Sequence, residues 1–80
     1  MTNILFRYNE AYDAANDAVT KNPNFTKGWH RKALALFKMG SFELALENSL
    51  KALELEPNNA EVKKLVDEIL VCIVLGLGFD

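Results

Sequence analysis

Four features of this chain recur at one fixed offset. Asn22-Pro23-Asn24 returns as Glu56-Pro57-Asn58, Ala11 as Ala45, Ala18 as Ala52 and Tyr8 as Phe42, each pair 34 residues apart. Self-similarity at a single period marks stacked supersecondary units, each burying its apolar face against the next. One coincidence would be noise, but four in register confine the chain to a repeat architecture.

Spacing and punctuation make the repeating unit helical. Tyr8, Ala11, Tyr12, Ala15, Ala18 and Val19 fall at steps of three and four, one stripe of a helix from Asn3 to Thr20 that ends at the Asn-Pro-Asn turn. Asn24 is placed to cap a second helix, in which Trp29, Ala33, Leu36 and Phe37 repeat the pattern until Gly40 stops it. Ser41 is placed to cap a third, with Phe42, Ala45, Leu46, Ser49, Ala52 and Leu53 inward, up to Pro57. Asn58 or Asn59 begins a fourth, whose buried stripe is Val62, Leu65, Val66, Ile69 and Ile73, with Lys63, Lys64, Asp67 and Glu68 outside. Four helices with short turns predict an all-α antiparallel helix-turn-helix array. Alanines in register let neighbouring helices approach closely while the aromatic residues fill the gaps.

The 80 residues allow one small domain, residues 1–80. A chain of this size buries only about 60% of its unfolded surface, so an enclosed active-site cavity would compete with the core. Nine Lys and Arg against eleven Asp and Glu leave no global positive field for nucleic acid. His30 has no nucleophile or Asp near it in sequence, and Cys72, set among Val and Ile, reads as a small buried hydrophobe. Gly76-Leu77-Gly78 has no following helix to hold a phosphate. Neither an enzyme nor a cofactor or metal site is expected. Glu43, Glu47, Glu54 and Glu56 with Lys51 read as a solvated face, Glu47 and Lys51 forming an i to i+4 pair. The lone cysteine and the absence of a signal-like start, Met1 to Phe6 being short and polar, lead to the expectation of a reducing, cytoplasmic setting. The uncharged stretch Ile69 to Phe79 falls short of the roughly 20 apolar residues a membrane span needs.

The segment Thr26 to Asn59 resembles a complete tetratricopeptide repeat, with that family's Trp at Trp29, small residues at Ala33, Ala45 and Ala52, Gly at Gly40, aromatic at Phe42 and Pro at Pro57. Residues 7–25 resemble the second helix of a preceding, partial repeat, and residues 60–80 the closing helix of such an array with an apolar tail. Lys32, Leu36 and Ser49 depart from the pattern, which has an apolar residue, a Tyr and a large side chain there. The resemblance implies an array shortened at its amino end, of about one and a half repeats against the three that usually make a stable stack.

The residues KGWHRKA resemble the last repeat of the carboxylate-clamp subclass, in co-chaperones that grip the acidic carboxyl-terminal tail of heat-shock chaperones. On that resemblance Lys27 and Arg31 contact the peptide's terminal carboxylate, Arg through its planar fork and Lys as a point charge. Their spacing puts both on one helix face, where two like charges cost a few tenths of a kcal/mol that local folding does not demand. The family's other clamp positions would lie before Met1. The expected function is therefore a non-catalytic protein-interaction module with Lys27 and Arg31 at its peptide site. The alternative is a repeat fragment that self-associates or pairs with another protein through the apolar faces around Tyr8, Tyr12 and Ala15 and the tail from Val71 to Phe79.

Overall fold

The structure, a computed structural model, describes residues 4–76. It contains α1 (Ile4–Lys21), α2 (Thr26–Lys38), α3 (Phe42–Leu55) and α4 (Ala60–Leu75). This is the all-α antiparallel array that the period predicted. The helix start at Asn3 and the part of the apolar tail from Leu77 to Phe79 lie outside the described residues.

Helix α2 is the hub, packed against α1, α3 and α4. It opens after a turn in which the Asn24 amide donates to Asn22 Oδ1 at 3.3 Å. Asn24 is therefore part of the turn and not the cap; the cap position belongs to Phe25, whose side chain can offer no acceptor. Trp29 fastens the turn from within the helix in a different way, its Nε1 donating to the Pro23 carbonyl at 2.7 Å. At the far end Gly40 adopts φ +87°, a left-handed conformation that Gly enters without a Cβ penalty. The Gly40 amide reaches Phe37 O at 3.1 Å and the Ser41 amide reaches Leu36 O at 2.9 Å, the paired bonds of a Schellman closure. Ser41 does precede α3, but its side chain makes no capping bond. Asn59 caps α4 through Oδ1, which accepts from the Val62 amide at 3.1 Å.

The core is the repeat pattern made solid. Ala33, Leu36 and Phe37 of α2 share a cluster with Ala45 of α3 and Leu65 and Ile69 of α4. The Phe37 and Phe42 rings meet at 5.6 Å in a tilted pair. A second cluster joins Ala52, Val62 and Val66, with Trp29 and Leu53 at its edge. Ser49 stands where the resemblance wants a large side chain. It is fully buried, and its hydroxyl donates to Leu46 O at 2.9 Å, so the smaller residue leaves no unpaired polar atom. The ammonium of Lys32 sits 5.2 Å from the Trp29 ring centre and 5.7 Å from that of Tyr12. A half-buried lysine thus takes an apolar position by laying its stem and charge against two aromatic faces.

Several stripe residues differ from expectation. Ala11 is exposed, because nothing packs on that side of α1 among the described residues. Ile73 is 39% exposed, although its spacing continues the buried stripe of α4. The carboxyl-terminal part of that helix leaves Val71, Val74 and Leu75 open as well. Cys72 is only half-buried, against the first cluster. Lys51 pairs with Glu54 at 3.8 Å rather than with Glu47. Among the described residues no helix is long and apolar enough to cross a membrane.

Candidate functional site

The first turns of α2 are held by the Trp29 bond and by amide bonds from Gly28 and Trp29 to the Phe25 carbonyl, at 3.0 and 3.3 Å. Lys27 and Arg31 leave this anchored segment one turn apart, and both are exposed. They line one cleft of about 260 Å³ together with Thr26, His30, Asn59 and Glu61. The other wall therefore comes from the α3–α4 turn and the start of α4, which the sequence reading did not associate with the two cations.

Two carboxylates set the electrostatics of that wall. Glu61 lines the cleft directly. Glu56, just before Pro57, accepts from Asn59 Nδ2 at 3.0 Å. That bond, a further one from Thr26 and the nearby charge of Lys27 hold the Glu56 carboxyl below its ordinary pKa. Asn59 is thus occupied at both ends, capping α4 with its oxygen and binding Glu56 with its nitrogen. Lys27 is partly balanced by Glu56, whereas neither Lys27 nor Arg31 forms a salt bridge among the described residues. The cleft runs from an acidic wall at Glu61 to a cationic wall at Arg31. An anion entering it meets Arg31 and Lys27 as its available charged donors.

Behind Arg31 lies a larger cavity of about 410 Å³, floored by Tyr8, Ala11, Ala15 and Ala18 of α1 and by Gly28 and Ala35 of α2. Arg31 lines both this groove and the basic cleft, and so forms the partition between them. Sequence spacing did place Lys27 and Arg31 together. The groove was foreshadowed by the apolar stripe of α1, although of the face expected to stay open around Tyr8, Tyr12 and Ala15 the last is buried and the two tyrosines half-buried. Gly28 and Ala35, both buried on the α1 side of α2, carried no signal beyond their small size.

An antiparallel array with a 34-residue period, in which each helix packs on its chain neighbours, is a helical-repeat protein of the tetratricopeptide type. Comparison with known proteins gives the same class. The chain is 34% identical over 65 residues to heat shock protein STI1 of Saccharomyces cerevisiae, covering 81% of the chain and 11% of that protein. It is 36% identical over 64 residues to the Hsp70-Hsp90 organizing protein of Triticum aestivum, covering 80% and 10%. It is 34% identical over 71 residues to U-box domain-containing protein 70 of Oryza sativa subsp. japonica, covering 89% and 9%. The chain thus spans about a tenth of the length of these relatives. No family model matches it. The chain is a tetratricopeptide-repeat protein, similar to a short segment of each of these relatives.

Proposed function

We propose that the chain is a non-catalytic, chaperone-related protein-interaction module whose basic cleft takes the carboxyl end of an acidic peptide. The observation that carries this reading is the pairing of Lys27 and Arg31 on one wall of a single cleft, exposed and free of salt bridges among the described residues. Arg31 offers a planar fork to a carboxylate, and Lys27 adds a second charge one turn away. Glu61 on the facing wall repels a second anion there, so it sets the direction in which an acidic peptide can lie. The names of the relatives, heat shock protein STI1 and Hsp70-Hsp90 organizing protein, support a heat-shock chaperone tail as the source of such a peptide.

Calorimetry with a peptide ending in Glu-Glu-Val-Asp tests this, using the free-acid form and its carboxyl-terminal amide. The intact chain binds the acid, and the amide and the Arg31→Ala variant each bind about tenfold more weakly. Equal binding by all three, or no binding by the intact chain, overturns the reading.

A further inference from the structure

The groove behind Arg31 has an internal counterpart that shows what fits it. Shifted along the chain by the 34-residue period, Ala11, Ala15 and Ala18 become Ala45, Ser49 and Ala52, and Ala35 becomes Ile69. All four of those counterparts are 0% exposed. They are covered because α2 lies across α3 and α4, with Ala33, Leu36 and Phe37 clustered on Ala45 and Ile69. The α1–α2 surface is the same kind of floor with no helix over it among the described residues: Ala11 is exposed and Ala18 half-buried, while Ala15 and Ala35 retain 5% and 4% exposure. Its matching occupant is a helix with apolar side chains at steps of three and four.

The carboxyl-terminal half of α4 is such a helix. Leu70, Ile73 and Val74 stand at those steps and are 40%, 39% and 77% exposed. Charge agrees with shape: the groove lining includes the cations Arg31 and Lys38 and no acid, while Asp67 and Glu68 flank the ridge one turn before it. Within one molecule the two cannot meet, since α4 packs on α3 and α2 and makes no contact with α1. We propose that the groove between α1 and α2 receives the Leu70–Val74 ridge of a second copy of this chain. Every molecule carries one groove and one ridge, so reciprocal pairing closes a dimer and one-way pairing extends a chain of copies.

Sedimentation equilibrium from low micromolar to millimolar concentration tests this on the intact chain, with Leu34→Glu at the groove wall and Val74→Glu on the ridge. Both sites are solvent-exposed, so the variants keep their helix content, checked by circular dichroism. The intact chain rises above its 9.0 kDa monomer mass with concentration, and each variant associates at least about tenfold more weakly. Mixing the two variants restores pairing, because one keeps the ridge and the other the groove. A monomer at every concentration overturns the proposal and leaves the groove to a helix of another protein. Association that survives either substitution overturns it too, since copies would then meet through another face. None of these readouts involves the acidic peptide, so this proposal and the proposed peptide site stand or fall separately.

Discussion

Trp29 and Pro23 are joined by a 2.7 Å hydrogen bond from the indole Nε1 to the prolyl carbonyl, which fastens the turn to the helix that carries both cleft cations. The turn has no side-chain cap, and this bond ties its carbonyl to the helix without taking up any of the free N–H groups of the first turn.

Trp29→Phe keeps an aromatic ring beside Lys32 and the Ala52, Val62 and Val66 cluster but loses the donor. The released carbonyl is exposed and finds water, so the cost is at the modest end, about 1 kcal/mol. For a domain of this size that lowers the melting temperature by roughly 4–8 °C. A thermal melt that matches the parent chain would show that the bond contributes nothing.

Gly28 faces α1 at Ala18 and Val19. A Cβ there would meet Val19 Cγ1 at 2.8 Å and Phe25 Cδ2 at 3.0 Å. The phenyl ring is 37% exposed and can swing aside, but Val19 is 3% exposed and stiff at χ1. Ala gains about 1 kcal/mol of helix propensity over Gly, against about 1–3 kcal/mol for overpacking. Gly28→Ala is therefore expected to destabilise, and Val19→Ala is expected to relieve part of that loss. Urea midpoints of the two single variants and the double decide it, strict additivity being the contrary result.

Glu56 makes stability depend on pH in a definite direction. Its folded pKa lies below the ordinary value, chiefly through Asn59 Nδ2 and then Thr26, with the charge of Lys27 contributing less. A carboxyl depressed in the folded state stabilises it above the unfolded pKa, and that contribution is lost as pH falls through the folded one. Denaturation midpoints of the parent and Glu56→Gln chains should separate near neutrality and converge in acid. A gap that does not change with pH would remove Glu56 as the cause. Asn59→Ala loses the helix cap as well as the Glu56 bond, so it should cost about 1 kcal/mol even where Glu56 is protonated.

The helix order and most of the core were legible because Pro23, Gly40 and Pro57 punctuate a strong three-and-four periodicity. Periodicity reports which side chains share a face and is silent on whether anything covers that face. Ala11 and Ile73 obey the pattern and are exposed for this reason. Capping was harder to read. Asn24, Ser41 and Asn59 are all residues that favour caps, yet of the three only Asn59 uses its side chain as one: Asn24 falls one residue before the cap position, which Phe25 holds, and the Ser41 hydroxyl makes no capping bond. At the cleft, Lys27 and Arg31 were visible from their four-residue spacing. Glu56, Asn59 and Glu61 were not, because they arrive from the α3–α4 turn by tertiary packing and no local pattern ties them to α2.

Arg31 is a wall common to two cavities, and one guanidinium cannot point fully into both. A guest that drew Arg31 toward the cleft would reshape the groove, and one packed into the groove would restrict its reach toward the cleft. Thermodynamic reciprocity then fixes the bookkeeping: if filling the groove changes affinity in the cleft by some factor, filling the cleft changes affinity in the groove by the same factor. Two ligands on the described residues would then need no moving domain between them, since one side chain lines both sites.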